Sequence, residues 1–580
     1  MLSQAIAMAL WSQLSSPERA RHERGALRTR ALCTKEHDAR PQAGLDPRVE
    51  SASTDQSQAE AEQPAPAAPA HAAAAAEAGA RTAPGSRAAL GSRAVLDVPG
   101  PPPTWWAGAL GNVFQFVRDP IAHADRLFAA HGRMACLARG RSTWLVATDA
   151  RPPGTVLLYG AELNRQLFSQ HGVFHKSALS GPLYPQGPPT ARQRPLSRML
   201  TGLFAVNDEA HRAQRRLLMP AFHKSRIESY RDDMVAITES VLETFQPGQL
   251  RDLRFDMNEL TLRIVTRTLF GSDLGARGVE LGRKLQRWLD LFKFAGAAPL
   301  DWPGLPYRRW LNLTQAIDGD TRQIIGDRRR DLNGATDILS ALLQATDEQG
   351  TALDEDELIG HTGVLFAAGH ETSSNALCWT LALLSQHPDV AAALDDELAG
   401  TLRGAAPRID QLAQLPLLDG VVKESLRLLP PAPLNHRVAA QDTELGGHVI
   451  PRGTELLSSV YHTHRMPDVY VNPQRFAPER WERLDPGPYA YCPFGSGPRM
   501  CIGASFALME IKIVLAILLQ RFRLSLPPGA RVGRAVSITM RPDPGLPMLV
   551  ASRDRAFESS ARGVRGALAS MVDLPEPPAR

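Results

Sequence analysis

Between residues 98 and 554, apolar and polar residues alternate mostly with the roughly 3.6-residue period of amphipathic helices, interrupted by short strand-like pieces. One segment is apolar on most faces. It opens at Asp354, where this carboxylate and Glu357 form a capping box, and it runs without proline to His387, just before Pro388. A helix of this length and composition must be buried in the centre of a large domain. The pattern predicts a mainly α fold with small β-sheets (α+β) around a long central helix.

Two further segments show where other helices begin and end. Pro416 begins one, because proline fits the first turn of a helix, and Pro430 and Pro431 end it. The apolar pattern from Ala504 to Phe522 predicts another helix near the end of the folded region.

The two ends of the chain differ in composition from the middle. Residues 1–97 are rich in alanine and proline, and they hold too little large apolar surface to offset the entropy of ordering the chain. We therefore expect a disordered extension over 1–97. The folded domain then spans 98–554, and the polar residues 555–580 are expected to form a flexible tail.

Charge and cysteine content exclude several classes of protein. The 580-residue chain has 65 lysines and arginines against 61 acidic residues, and this near balance gives no reason to expect nucleic-acid binding. Its five cysteines form no CxxC pair, which argues against a disulfide framework and a zinc site. The N-terminus lacks the pattern of a signal peptide, and no apolar run is long enough to span a bilayer. We expect a cytoplasmic protein without a membrane span.

The strongest chemical signal is FGSGPRMCIG, the stretch from Phe494 to Gly503, which directly precedes the last predicted helix. It places Cys501 at a helix N-terminus, where the dipole and the free amides favour a thiolate. Glycines such as Gly495 let the backbone pass close to a bulky flat group, and Arg499 is placed to hold an anion. Two other interpretations stay open on these residues alone: a structural cysteine beside a Gly/Pro turn, and the nucleophile of a cysteine hydrolase.

This stretch resembles the haem-binding loop of the cytochrome P450 family of haem-thiolate monooxygenases, and it fills every fixed position of that pattern. The resemblance implies haem b as the cofactor, with Cys501 as the axial ligand of its iron. It also implies that Arg499 pairs with a haem propionate and that Phe494, Gly495 and Gly503 form the loop under the haem. The fold expected from the resemblance is the cytochrome P450 fold, with its long central helix over the haem.

A second motif, Ala368-Gly369-His370-Glu371-Thr372, lies in the middle of the central helix. The Thr372 hydroxyl is placed to bond back to the Ala368 carbonyl, and Gly369 weakens the helix, so either residue is able to open a gap. A simpler alternative is that Thr372 only satisfies the backbone, Glu371 faces solvent and Gly369 aids packing. The resemblance implies the family's oxygen-binding motif, in which Ala368 and Gly369 lie at the haem and Thr372 and Glu371 deliver protons.

Basic residues elsewhere extend the resemblance. His211 and Arg215 are one turn apart on a predicted helix and face the same side. Taken alone, this spacing is more typical of a solvated basic face. The resemblance implies that both residues, and Arg437 after the proline pair, bind a haem propionate.

Glu424 and Arg427 are spaced to pair on one face of a helix, which is by itself an ordinary feature. The resemblance implies that this pair meets an arginine from a later segment and locks the fold behind the haem. We assign that arginine as Arg475, although Gln474 stands where the family usually has glutamate. All three residues are expected to be structural rather than catalytic.

The resemblance implies a monooxygenase that uses dioxygen to hydroxylate or epoxidise a small apolar substrate, either lipid-like or terpenoid. The segment after Cys501 is too short for a flavin domain, so the electrons are expected from a separate ferredoxin or flavodoxin with its NAD(P)H reductase. Two alternatives keep the haem. One is a peroxygenase or isomerase that needs no reductase, although Glu371 and Thr372 argue against it, and the other is a non-enzymatic haem-binding protein.

Overall fold

The computed structural model describes residues 95–141, 143, 152–176, 189–199, 202–271, 276–297, 300–332, 336–557 and 563–575. The chain divides between Arg93 and Ala94 into two units, and the predicted extension over 1–97 lies outside the described residues except at its end. Leu96 is already buried, and the Arg139 guanidinium binds the carbonyls of Leu96 and Val98. The folded unit therefore begins slightly before the predicted boundary.

Helices dominate the described chain, which confirms the predicted mainly α class. In chain order the helices are α1 (Ala109–Arg118), α2 (Pro120–His131), α3 (Ala161–Ser169), α4 (Arg194–Met199), α5 (Asp208–Leu218), α6 (Lys224–Ser229), α7 (Arg231–Leu242), α8 (Leu253–Phe270), α9 (Ala276–Ala297), α10 (Pro306–Arg330), α11 (Ile338–Gln344), α12 (Glu355–Gln386), α13 (Pro388–Leu402), α14 (Ile409–Leu412), α15 (Pro416–Leu428), α16 (Val460–Thr463), α17 (Ala504–Arg521) and α18 (Ala567–Met571). Short 3-10 turns cover Met219–Phe222, Pro478–Glu482 and Gly497–Arg499.

The long central helix is α12, and local sequence signals set both of its ends. The Asp354 carboxylate accepts from the Glu357 amide over 2.7 Å, and the Glu357 carboxylate accepts from the Asp354 amide over 3.0 Å, which is the predicted capping box. The helix ends at Gln386, with His387 as its C-cap before Pro388. The bounds of α15 and α17 also match the two other predicted helices.

Small sheets complete the fold. The strands are β1 (Met134–Arg139), β2 (Gly154–Leu158), β3 (Phe174–His175), β4 (Leu250–Asp252), β5 (Leu434–Ala439), β6 (Thr443–Leu445), β7 (His448–Ile450), β8 (Glu455–Ser459), β9 (Phe522–Ser525), β10 (Gly533–Val536), β11 (Met540–Asp543) and β12 (Pro547–Ser552). The largest sheet has the order β1-β2-β8-β5-β3, with β2 and β8 parallel. The others are β4-β12-β9 and the hairpins β6-β7 and β10-β11.

The largest apolar core surrounds α12, which packs against α8 and α17. Its Trp379 is fully buried, and the indole donates to the Met540 carbonyl of β11 over 3.1 Å. Nearly all residues of α12 from Leu358 onwards are buried, as the sequence predicts for a central helix. No helix among the described residues is both long enough and apolar enough to cross a membrane.

The prediction of a flexible tail over 555–580 is wrong for residues 563–575. Leu568 and Met571 are buried, the Leu568 amide donates to the Val532 carbonyl over 3.1 Å, and Arg465 donates to the Met571 carbonyl over 2.9 Å. Apolar residues at helical spacing in a short polar segment provide enough buried surface to fix it to a larger domain. This part of the chain belongs to the fold.

Candidate functional site

The loop from Phe494 to Cys501 forms a narrow turn in front of α17. The Cys501 amide donates to the Phe494 carbonyl over 2.9 Å. Gly495 and Gly497 have φ angles of 72° and 70°, which glycine adopts without strain. A Cβ at Gly497 would lie 2.6 Å from the Phe168 carbonyl oxygen, so this glycine also lets the loop approach α3. The glycines therefore set the path of the backbone that presents Cys501.

Cys501 is exposed, whereas the other described cysteines are buried. Nearby protein atoms nonetheless desolvate its sulfur and raise the pKa of the thiol, and the Gly503 amide, Arg215 and Lys176 offset that rise only in part. A thiol that water reaches but that protein encloses lies in the wall of an internal cleft. Desolvation, which raises the thiol pKa, therefore outweighs the stabilisation of the thiolate that is expected at a helix N-terminus.

Five basic side chains gather around this cysteine from separate parts of the fold: Lys176 after β3, His211 and Arg215 on α5, Arg437 on β5, and Arg499 in the cysteine loop. Lys176 and Arg215 act electrostatically on Cys501, and the basic groups also act on one another. Burial is the main reason that the pKa of Arg437 falls to about 9, that of Arg499 to about 10 and that of His211 to about 4. The four predicted propionate-binding residues are therefore brought together, with Lys176 added.

These cations have few partners. Arg437 donates to the His436 carbonyl over 2.7 Å, and Arg499 donates to Asn207 Oδ1 over 2.5 Å. His211 Nδ1 and Arg499 Nε are buried without a hydrogen-bond partner among the described residues. No described carboxylate forms an ion pair with any of the lysine or arginine side chains in the cluster. Buried and half-buried cations that lie this close together are stabilised when an anion joins them.

Behind the loop, Glu424 and Arg427 of α15 form a fully buried pair. Their two parallel hydrogen bonds measure 2.8 and 2.9 Å. Arg427 also donates to the His464 carbonyl over 2.8 Å, and His464 Nε2 accepts from the Cys492 amide over 2.9 Å. The pair thus connects α15 with the segment that leads to Cys501, which agrees with a structural role.

The third residue of this lock is Arg480, and the assignment of Arg475 is wrong. Arg480 Nε donates to Glu424 Oε1 over 2.9 Å, and Trp481 Nε1 donates to the other carboxylate oxygen over 3.0 Å. The Arg475 side chain is 62% exposed and pairs with Glu479 instead. Both arginines lie in a Pro-x-Arg-aromatic sequence, but the 3-10 turn over 478–482 directs the second one inward.

The middle of α12 differs from the buried turns on either side. Val364, Leu365, Ala368 and Thr372 are only half-buried, and their spacing places them on one face of the helix. Half-exposed side chains in the middle of a buried helix line an internal space. Because α12 packs against α17, which begins just after Cys501, this apolar face belongs to the same region of the fold.

Gly369 serves helix packing. A Cβ at this position would lie 2.6 Å from Val265 Cγ2 of α8, and the Thr261 hydroxyl of α8 donates to the His370 carbonyl over 3.0 Å. The helix is continuous through the motif, so the expected gap is not formed. As predicted, the Thr372 hydroxyl donates to the carbonyl four residues earlier, over 2.8 Å.

Glu371 is buried, so the alternative in which it faces solvent does not hold. Its Oε1 accepts from the Thr539 hydroxyl over 2.9 Å. Thr539 lies in the turn between β10 and β11, which anchors the carboxylate at the edge of the half-buried face, two helical turns after Val364. The acid and the neighbouring alcohol of Thr372 therefore have different hydrogen-bond partners.

Comparison with known proteins identifies the family. A sequence model of the family described as Cytochrome P450 matches residues 99–545. The chain belongs to the cytochrome P450 family.

It is 31% identical over 435 residues to cyclooctat-9-en-7-ol 5-monooxygenase of Streptomyces melanosporofaciens, covering 72% of this chain and 88% of the relative. It is 30% identical over 435 residues to pentalenene oxygenase of Streptomyces avermitilis, covering 73% and 91%. The crystal structure of the cytochrome P450DA heme domain superposes with a TM-score of 0.65 at 25% identity, over 81% of this chain and 100% of that one.

This P450 is a haem-thiolate monooxygenase, and the predicted fold and cofactor are confirmed. Its residues fit a haem. The unpaired cations, and the partnerless nitrogens of His211 and Arg499, suit the two propionate carboxylates that a haem buries. The apolar half-buried face of α12 suits a flat apolar ring, and Cys501 offers a sulfur ligand.

The sequence did not identify three residues of this P450 site. Lys176 belongs to no motif, and nothing local indicates that it joins the cations. Asn207 looks like an ordinary helix N-cap, although its side chain bonds elsewhere. A signal for Arg480 was present, because the Pro-x-Arg-aromatic pattern occurs twice and either copy matches the lock.

Proposed function

We propose that this P450 hydroxylates or epoxidises a small apolar terpenoid, and that the Cys501 sulfur would hold the haem iron. The observation that carries the proposal is the exposed Cys501 just before α17, surrounded by buried and half-buried cations that form no ion pair with a described carboxylate. When bound, the haem supplies the activation of dioxygen, which electron donation from a thiolate favours. The protein binds the cofactor, orients the substrate and delivers protons.

Four residues bind the propionates in this proposal: the neutral His211 as a hydrogen-bond donor, and the cationic Arg215, Arg437 and Arg499. Each comes from a rigid helix, strand or tight turn, so the carboxylates meet donors whose positions are already fixed. Phe494, Gly495 and Gly503 hold the loop that presents the sulfur. Ala368 and Gly369 bring α12 close to the cofactor.

Thr372 and Glu371 deliver protons. Because the Thr372 hydroxyl donates to the Ala368 carbonyl, its lone pairs face the half-buried side and can hold a water molecule there. Thr372→Ala is expected to keep the haem and to consume NAD(P)H, but to release hydrogen peroxide instead of product, while Thr372→Ser restores coupling. Full coupling in Thr372→Ala would contradict this role.

The terpenoid substrate is supported by two observations. The relatives are named for oxidising cyclooctat-9-en-7-ol and pentalenene. In this chain, Val364, Leu365 and Ala368 present an apolar face to the cleft. A screen of terpenoid hydrocarbons and alcohols for a shift of the haem Soret band tests this class. A shift with terpenoids is expected, and shifts confined to unrelated polar compounds would reject it.

The electrons come from a separate ferredoxin or flavodoxin with its NAD(P)H reductase. Arg212 and Arg216 support an acidic donor, because they lie on the outer side of α5, and Arg216 is 67% exposed beside Glu209. Arg216→Glu should slow reduction and weaken its salt dependence. Arg408→Glu, 65% exposed and paired with Asp410, is the matched control and should leave reduction unchanged. An equal effect of both variants would reject this docking face.

The free described cysteines support a cytoplasmic location.

One experiment separates this monooxygenase from a peroxygenase. Terpenoid turnover is compared under dioxygen with NAD(P)H and a ferredoxin–reductase pair, and under hydrogen peroxide alone. We expect substantial product only with the reductase, because Glu371 and Thr372 suit the controlled protonation that dioxygen chemistry needs. Equal or faster turnover with peroxide alone would overturn the proposal.

A further inference from the structure

We propose that Lys176 binds a haem carboxylate and that Asn207 is the residue that positions both Lys176 and Arg499 for this contact. The inference rests on the haem site proposed above and adds two residues to it. The Asn207 side chain lies at a helix N-terminus but does not form the capping hydrogen bond that is usual there.

Asn207 is the N-cap of α5. Asparagine is favoured there because its side chain usually accepts from an amide of the first turn, but this side chain makes no capping hydrogen bond. Its Oδ1 instead accepts from the Lys176 amide over 2.9 Å and from Arg499 Nη2 over 2.5 Å. Its Nδ2 donates to the Lys176 carbonyl over 3.0 Å. One side chain therefore ties the end of β3, the start of α5 and the cysteine loop together.

The neighbouring residues strengthen this joint. His175 Nε2 lies 3.0 Å from Asp208 Oδ2, so β3 and α5 meet at two successive positions. Asp208 has a φ of 49°, a left-handed conformation that side chains other than glycine adopt at a cost, and the surrounding contacts hold it there. Arg499 Nη2 also donates to the Val206 carbonyl. The backbone from which the Lys176 side chain extends is thus fixed relative to Arg499.

The Lys176 side chain points into the cation cluster. Its Nζ lies 4.0 Å from the centre of the Phe204 ring, and it forms no ion pair with any described carboxylate. Burial lowers the pKa of Lys176 well below its usual value, Arg437 and Arg499 lower it further, and Cys501 acts in the opposite direction. An amine in this position, among like charges, is stabilised when an anion joins the group. A propionate carboxylate is such an anion.

The first test measures haem retention in the holoenzyme. Haem transfer to excess apomyoglobin is followed for the wild type, Lys176→Met, Lys176→Arg and Lys224→Met. Lys224 is a matched control, because it is an exposed lysine on α6. We expect Lys176→Met to lose haem about tenfold faster, which corresponds to about 1.4 kcal/mol, and the other two variants to resemble the wild type. Wild-type haem loss in Lys176→Met would overturn the assignment.

A second readout separates charge from packing. Removing a cation beside the haem carboxylates disfavours the reduced state, so Lys176→Met should have a more negative iron reduction potential, which Lys176→Arg restores. An unchanged potential in Lys176→Met would contradict a direct contact.

The role of Asn207 is tested with Asn207→Ser. Serine is as good an N-cap as asparagine, so a purely capping role predicts no change. We expect haem loss to accelerate about tenfold, because serine cannot bridge to Lys176 and Arg499 together. In Lys176→Met/Asn207→Ser, the acceleration should be smaller than the product of the single effects, since Asn207 acts partly through Lys176. Wild-type retention in Asn207→Ser, or multiplicative effects in the double variant, would overturn the positioning role.

Failure of this inference differs from failure of the proposed function. A wild-type protein without haem, or without the thiolate-type carbon monoxide spectrum, would reject the proposed site itself. A wild type with both properties, together with unchanged haem retention in Lys176→Met, would reject only the inference about Lys176.

Discussion

Glu510→Gln should change the pH dependence of stability. Glu510 lies on α17 and is fully buried, and neither of its carboxylate oxygens has a hydrogen-bond partner of ordinary geometry among the described residues. Burial raises its pKa from 4.5 to about 8, although the nearby Ser373 hydroxyl of α12 offsets a part of the rise. The carboxyl is therefore protonated in the folded protein at neutral pH, while the unfolded chain releases the proton.

The sign and magnitude follow from this difference. The folded state binds one more proton than the unfolded state between pH 4.5 and about 8, so stability is fully present below the lower value and is lost as pH rises. The slope is about 1.4 kcal/mol for each pH unit. From pH 5 to pH 7, the wild type should lose about 3 kcal/mol relative to Glu510→Gln, whose amide does not titrate.

Urea unfolding of the holoenzyme, followed by tryptophan fluorescence across this pH range, measures the effect. The two proteins should be similarly stable at the acidic end, and Glu510→Gln should become progressively more stable towards neutral pH. Glu444→Gln makes the same substitution at an exposed site and serves as the control. If the free energy of unfolding changes with pH equally in the wild type and in Glu510→Gln, Glu510 does not have a raised pKa in the folded protein.

Three further predictions test the packing by thermal and urea unfolding. Arg480→Met should lower the free energy of unfolding by about 1.5–3 kcal/mol, because it removes one charged hydrogen bond from the buried Glu424 carboxylate, which keeps Arg427 as a partner. The exposed Arg475→Met should lower it by less than about 1 kcal/mol, and equal losses would mean that Arg475 is the partner of Glu424. Gly369→Ala should destabilise by about 1–3 kcal/mol through its clash with α8, while Gly363→Ala, with open space at its Cβ, should stabilise by up to about 1 kcal/mol. If Gly369→Ala stabilises the protein as Gly363→Ala does, α8 does not pack closely against α12 at Gly369. Leu568→Ala should cost about 2–5 kcal/mol, and no loss would mean that residues 563–575 do not pack.

The features that local sequence determines were predictable. The bounds of α12 follow from a capping box at Asp354 and from Pro388, and those of α15 from Pro416 and the Pro430 pair. Such signals act within a few residues, so no knowledge of the tertiary structure is needed. The family motifs likewise gave the fold, the cofactor and most of the cations around Cys501.

The features that depend on distant contacts were not predictable. Two equivalent arginines precede aromatic residues, and only the inward turn at 478–482 decides that Arg480 meets Glu424. Gly369 suggests a weak point within α12 until α8 is seen to cross it. Lys176 joins the cation cluster through the Asn207 bridge, which links segments that are far apart in the chain.

The central claim is that the Cys501 sulfur is the ligand of the haem iron. It is tested most directly by the absorption spectrum of the reduced, carbon monoxide-treated protein in the wild type, Cys501→Ser and Cys492→Ser. The last variant is the control, because Cys492 is a buried cysteine close to the same loop. We expect the thiolate-type spectrum in the wild type and in Cys492→Ser, and its loss in Cys501→Ser. Persistence of that spectrum in Cys501→Ser would show that another residue binds the iron.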